Sequence, residues 1–165
     1  MDQVLYRLAV RVGRELERRK LMMASAESCT GGWIGQAVTM VPGSSAWFER
    51  GFVTYTYISK REMLGVKGAS LARHGAVSEQ IVREMALGVL RASHAQVAVS
   101  VSGVAGPGGG TPDKPVGTVC FGWACTPRRV VVQTRRFRGD RDQVRRRAVA
   151  HALRGILLLL AERPA

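Results

Sequence analysis

Acidic residues are scarce in this chain of 165: twelve Asp and Glu stand against 25 Lys and Arg, leaving a formal charge of +13 and a pI near 11.1. Such an excess favours anionic company, whether nucleotides, phosphorylated metabolites or nonspecific nucleic acid. An arginine-rich solvated surface accounts for the same number, so charge alone does not decide. Cysteine is also sparse. Cys29, Cys120 and Cys125 are odd in number and form no C-x-x-C pair, which argues against a disulfide framework and a structural zinc site and fits reduced thiols in the cytoplasm. The longest apolar run, Ile156 to Ala161, is far short of a bilayer span. Met1 to Leu5 carries no basic segment leading into an apolar one, so no secretory signal is expected. Aromatics make up only 6%, too few for the base-stacking sheet of an RNA binder. With no linker, repeat or low-complexity tract, residues 1–165 are expected to form one domain.

The most informative stretch is Ala26-Glu27-Ser28-Cys29-Thr30-Gly31-Gly32. It follows an apolar run, Leu21 to Ala24, and precedes the helix-like Trp33, Ile34, Ala37 and Val38, so it reads as a strand-to-helix turn. A helix start offers unpaired N–H groups and a positive dipole end, and glycines let a ligand approach them. Ser28, Cys29 and Thr30 then stand beside a potential oxyanion pocket. The same Ser28 or Thr30 also suits plain helix capping.

Along the chain, Leu5, Leu8, Val12 and Leu16 mark an amphipathic helix over 4–20. A helix over 33–41 stops at Pro42-Gly43, and a short helical turn follows over 44–48. Residues 51–57, rich in β-branched and aromatic types, read as a strand, with Ser59 capping a helix that begins at Lys60. His74 to Val77 reads as a loop before a helix capped by Ser78. Residues 96–102 form a strand covered on both faces and feed a glycine-rich loop, Gly103 to Gly110. Strands over 116–126 and 130–138 pair as a hairpin through a turn at Pro127, Arg128 and Arg129. Asp140 with Gln143 opens a last helix reaching Glu162. Interleaved helices and strands predict an α/β three-layer sandwich, a mixed, mainly parallel sheet flanked by helices. The apolar Ile156 to Leu160 end, with small Ala148, Ala152 and Gly155, suggests helix packing between subunits of a homo-oligomer.

Three groups of residues carry candidate chemistry. Ser28 is a nucleophile needing a base, and His74, His94 and His151 show no triad spacing. Lys60 becomes a base only if burial or the neighbouring Arg61 lowers its pKa; otherwise it is a solvated helix-start lysine. Tyr55 lies at the same strand end. The glycine loop with Lys114 offers anion donors but matches neither a Walker A nor a dinucleotide fingerprint. Arg141 and Arg145 share one helix face, and Arg141 in the first turn opposes the helix dipole, which suits an anion nearby as well as a solvated face paired with Asp142.

Taken together, Ala26 to Gly32, Gly43-Ser44-Ser45, Trp47 to Tyr55, His74 to Glu79, Ser102 to Pro107, Lys114 to Thr118 and Gly139-Asp140-Arg141 resemble the CinA C-terminal-domain family over nearly the whole chain, in order. They are most similar to its stand-alone nicotinamide-nucleotide amidases. The resemblance implies hydrolysis of the carboxamide of nicotinamide mononucleotide to nicotinic acid mononucleotide and ammonia, without metal or organic cofactor. It also implies a serine-lysine dyad assisted by tyrosine, falling on Ser28, Lys60 and Tyr55. Thr30, Gly31 and Gly32 would then cradle the oxyanion, and Ser102, Gly106, Gly109, Gly110, Lys114, Arg141 and Arg145 would bind the substrate. The partner is a small pyridine nucleotide, with no specific nucleic acid and no membrane. Two departures from the family pattern stand out: Thr56-Tyr57 replaces the usual Ser-Asn, and Gly108 replaces an Asp after Gly-Pro. Three rival readings remain: a thiol amidase built on Cys29, a non-catalytic nucleotide-binding or interaction module, since the family domain also occurs fused within longer proteins, and, ranked last, a nucleic-acid binder driven by charge.

Overall fold

The computed structural model describes residues 1–125 and 129–161. Helix α1 spans Gln3–Arg18, and the Asp2 carboxylate starts it by accepting the Val4 and Leu5 amides at 3.0 and 3.2 Å. Leu5, Leu8, Val12 and Leu16 are buried along one stripe, as the periodicity requires. Then come β1 (Met23–Glu27), α2 (Trp33–Thr39), a 3-10 turn (Ser44–Ala46), β2 (Phe48–Val53), α3 (Tyr57–Leu64), α4 (Gly68–His74) and α5 (Glu79–Ala92). The chain continues through β3 (Val97–Gly103), β4 (Thr118–Cys125), β5 (Arg129–Arg136) and α6 (Arg141–Ala161).

The five strands form one sheet in the order β2-β1-β3-β4-β5. β1 pairs in parallel with both β2 and β3, while β3–β4 and β4–β5 are antiparallel. Four strands therefore point the same way and β4 alone opposes them, the mixed, mainly parallel sheet that the sequence predicts. Strand alternation sorts the two cores. Val97, Val99, Val101, Val119, Phe121 and Trp123 pack under α1, α2 and α6, and Ala24, Ala26, Ala98, Cys120 and Ala124 pack under α3, α4 and α5. Small residues on the second face bring α5 close: the Ser100 hydroxyl donates to the Val82 carbonyl at 2.6 Å. Among the described residues, no helix is long and apolar enough to cross a membrane.

Several local expectations need correction. The strand expected over 51–57 ends at Val53, and α3 begins at Tyr57, not Lys60. Thr56 takes the capping role expected of Ser59: its hydroxyl accepts the Ser59 amide at 3.1 Å and the Ser59 hydroxyl accepts the Thr56 amide at 3.0 Å. This reciprocal cap starts the helix a turn earlier and places Lys60 on its first turn. Periodicity gives no sign of helix α4. The 118–136 hairpin and the Asp140–Gln143 reciprocal cap of α6 stand as expected; Pro127, Arg128 and Glu162 lie outside the described residues. Most of the apolar end of α6 is buried within the chain itself. Ile156, Leu159 and Leu160 are in the core with Ala148 and Ala152, leaving Leu158 exposed. Gly155 is there because Trp123 is: a Cβ would overlap the indole, whose N–H donates to the Ala152 carbonyl at 2.9 Å.

Candidate active site

The parallel strands β1, β2 and β3 all end on one edge of the sheet, where their following residues surround a crevice. Ser28 comes one residue after β1. Its amide extends the ladder to the Val101 carbonyl at 3.0 Å, and on the other side Thr54 donates to the Glu27 carbonyl at 2.8 Å. Alternation sends residue 28 to the face opposite Glu27, the side covered by α3. There Lys60, completely buried, directs its Nζ to the Thr54 carbonyl at 2.7 Å and to the Ser28 hydroxyl at 3.1 Å. Burial drives the Lys60 pKa down to about 8, because a desolvated ammonium is disfavoured against the neutral amine.

The turn that presents Ser28 is fixed from below by a residue to which the sequence assigns no role. Glu27 is buried, and its carboxylate accepts the amides of Gly32, Ile34 and Gly35 at 3.1, 2.9 and 2.9 Å. It thus caps α2 from within the preceding strand. A carboxylate inside an otherwise uncharged buried strand, a few residues before a helix, is the available signal, since a buried charge requires hydrogen-bond donors. Gly31 and Gly32, with φ of +60° and +97°, make the turn possible. Their amides, however, do not serve an oxyanion: Gly31 donates to the Ser28 carbonyl at 3.1 Å and Gly32 to Glu27. The amides donating to no other residue at this turn are those of Cys29 and Thr30.

A cleft of about 210 Å³ opens beside Ser28, lined also by Cys29, Tyr55, Ala76, Val77, Ser102, Gly103, Ala105 and Arg141. Tyr55 is exposed at its mouth, and its hydroxyl accepts from Arg141 Nη2 at 3.3 Å. Arg141 Nη1 donates to the Gly106 carbonyl at 2.7 Å. Of the expected anion binders, Arg141 and Ser102 border the cleft. The others are placed differently. Arg145 spends its guanidinium on the turn, Nε donating to the Cys29 carbonyl and Nη2 to the Thr30 carbonyl, both at 3.0 Å, while the Trp33 ring lies 5.4 Å from its Cζ. Lys114 reaches the His74 carbonyl at 2.6 Å. Gly109 and Gly110 do not line the cleft; Gly110 lies so close to the Val116 amide that a Cβ would come within 2.8 Å.

The departing residues have structural uses. Thr56 caps α3, and the Tyr57 hydroxyl accepts the amide of Ala76 at 3.3 Å, holding that wall segment. Gly108 is exposed, with open space where a side chain would stand. No histidine borders the cleft: His151 packs edge-on against Phe121 and bonds Gln133 at 2.8 Å, His94 is exposed, and His74 contributes its carbonyl to Lys114. The Cys29 thiol is buried and pushed up to about 12 by desolvation, the opposite of an activated nucleophile. Among the described residues, no three His, Cys, Asp or Glu side chains cluster as metal ligands would.

Comparison with known proteins places the chain in a family. The family model of the CinA C-terminal domain matches residues 5–160. The chain is 52% identical over 152 residues to the nicotinamide-nucleotide amidohydrolase PncC of Escherichia coli strain K12, covering 92% of each protein. It is 51% identical over 155 residues to the Pseudomonas putida protein of the same name, covering 94% of this chain and 96% of that one. In three dimensions it resembles the crystal structure of a competence/damage inducible protein from Agrobacterium tumefaciens. There the TM-score is 0.94, with 42% identity and 98% of each chain covered.

Proposed function

Given that the chain belongs to the CinA C-terminal domain family, we propose that it is an amidase that hydrolyses the carboxamide of nicotinamide mononucleotide to nicotinic acid mononucleotide and ammonia, with Ser28 as nucleophile and Lys60 as base. The observation that carries the reading is the contact of a buried, pKa-lowered Lys60 with the Ser28 hydroxyl at 3.1 Å. A hydroxyl attacks an amide only when a base removes its proton, and a lysine serves as base only in its neutral form. With a pKa near 8, about a tenth of Lys60 is neutral at pH 7, against well under a thousandth for an ordinary lysine.

In the first half-reaction, Ser28 Oγ bonds to the amide carbon, its proton passes to Lys60 Nζ, and the carbonyl π pair moves onto oxygen. The oxyanion is met by the amides of Cys29 and Thr30, which donate to no other residue and follow the nucleophile directly. Collapse of the tetrahedral intermediate breaks the C–N bond as Lys60 returns the proton to the departing nitrogen, releasing ammonia and leaving an ester on Ser28. Water, deprotonated by the again neutral Lys60, attacks the ester. Collapse frees the carboxylate product and restores the serine hydroxyl. Tyr55 at the cleft mouth orients Arg141, and Arg141 meets the substrate phosphate as a charged, fork-shaped donor.

The chemistry of this cleft favours the serine reading over the thiol one, because Cys29 lacks both a histidine and an accessible thiolate. The test is ammonia release from nicotinamide mononucleotide by purified protein in the presence of chelator, with the product identified as the acid. Release that Ser28→Ala abolishes is the expected result. A folded wild-type protein that frees no ammonia would refute the assignment and leave a nucleotide-binding role.

A further inference from the structure

In a trans peptide the C=O and N–H point in opposite directions, so whatever holds the carbonyl aims the amide. Two peptide planes follow Ser28. The first joins the Ser28 carbonyl to the Cys29 N–H, and that carbonyl is held from within the turn by the Gly31 amide at 3.1 Å. The second joins the Cys29 carbonyl to the Thr30 N–H, and its carbonyl is held from outside, by Arg145 Nε at 3.0 Å. Arg145 Nη2 holds the next carbonyl, of Thr30, at the same distance. The guanidinium is itself steadied against the Trp33 face and rooted in the second turn of α6, one turn beyond Arg141. Two adjacent carbonyls gripped by one rigid fork leave the second plane little freedom to rotate.

From this geometry we propose that Arg145 is a positioning residue for the oxyanion donors and not a ligand of the substrate phosphate. By fixing and polarising the Cys29 carbonyl, it turns the Thr30 N–H away from itself and strengthens it as a donor to the oxygen that becomes negative when Ser28 attacks. A guanidinium stays charged throughout, so the polarisation persists through the catalytic cycle. The division of labour along α6 is then clear. Arg141, in the first turn, borders the cleft and faces the substrate, while Arg145, one turn on, faces the backbone that surrounds the nucleophile. This inference rests on the amidase reading above and adds a role within it.

The experiment compares wild type, Arg145→Ala and Arg145→Lys on nicotinamide mononucleotide, its riboside and its thioamide analogue. The expected result for Arg145→Ala is a kcat lower on the order of a hundredfold, the usual effect of losing one oxyanion donor. KM is expected to stay within about twofold, because the lost interaction belongs to the transition state. Arg145→Lys, with charge but only one point of contact, should recover a minor part of the rate. The preference for mononucleotide over riboside should be unchanged. The ratio of amide to thioamide rates should fall in both variants, because sulfur is a weak acceptor that gains little from the aimed N–H. A raised KM with loss of the mononucleotide preference would make Arg145 a phosphate ligand and overturn the proposal. A lower kcat with an unaltered amide-to-thioamide ratio would reduce Arg145 to a general stabiliser and overturn it equally. Should Arg145→Ala fail to fold, Arg145→Lys alone decides by the same ratio. Wild-type protein inactive on the mononucleotide would remove the amidase reading and this role with it, a result distinct from an active wild type with indifferent variants.

Discussion

Replacing Lys60 with methionine should destroy activity while changing stability in a pH-dependent way that only a buried, desolvated base produces. The ordinary lysine pKa of 10.5 has fallen to about 8 in the folded protein. At 1.36 kcal/mol per pKa unit this is roughly 3 kcal/mol, an upper bound because solvent in the cleft screens part of it. Between those two values the unfolded chain keeps the proton that the folded chain has released. Wild-type stability therefore rises with pH across the interval and carries its full penalty below about pH 8. The Lys60→Met variant would carry no such penalty. It would, however, leave the Thr54 carbonyl without its 2.7 Å donor, at a cost of about 1 to 3 kcal/mol. Near pH 7 the two effects partly cancel, so the variant should be as stable as wild type or slightly more so. Near pH 10 most of the penalty is gone, so the loss dominates and the variant should be the less stable. The difference between the two proteins should thus move by about 2 to 3 kcal/mol, which urea unfolding at both pH values would measure. Parallel stability profiles would show that Lys60 titrates as an ordinary lysine and is not a desolvated base.

Other consequences are simpler to check. The rate of ammonia release should climb with pH through about 8, following deprotonation of Lys60, and Lys60→Arg should not restore it because guanidinium gives up no proton; a flat profile would count against the lysine base. Cys29→Ala should keep the rate within about threefold, since the buried thiol stays protonated, and loss of turnover in a folded variant would revive the thiol mechanism. Arg141→Ala should narrow the advantage of the mononucleotide over the riboside by about tenfold or more, the worth of a charge-assisted contact; an unchanged ratio would move the phosphate elsewhere. Gly155→Ala drives a methyl into Trp123 and should cost about 1 to 3 kcal/mol in a urea melt, whereas an unshifted midpoint would mean that the α6 contact yields freely.

The layered α/β fold is legible because its signals are local and periodic: the Leu5 to Leu16 stripe, the Val97 to Val101 alternation, the Asp140–Gln143 cap. The 51–57 segment misleads because Tyr55 and Tyr57 suit a strand, while the cap that overrides them is a pair of hydroxyls at Thr56 and Ser59. The approach of Lys60 to Ser28 cannot be read from spacing. It depends on α3 crossing back over the sheet, and in the sequence only the family resemblance points to it. Arg141 and Arg145 look equivalent in sequence, four apart on one face, and suggest one shared task. In the fold one borders the cleft and the other binds two carbonyls, a distinction set by which backbone groups lie opposite each turn. Glu27 leaves a single trace in the sequence, a carboxylate in an otherwise uncharged buried strand, and its partners stay hidden because they are amides, which carry no side-chain signature.

Whether Ser28 is the nucleophile prepared by Lys60 is decided by acid-quenching the protein during turnover of nicotinamide mononucleotide and mapping the peptides by mass. The expected result is an ester of nicotinic acid mononucleotide on the peptide bearing Ser28, located at that residue, absent from Ser28→Ala along with ammonia release, and still formed on Ser28 in Cys29→Ala. An adduct on Cys29, or undiminished ammonia release by Ser28→Ala, would contradict it.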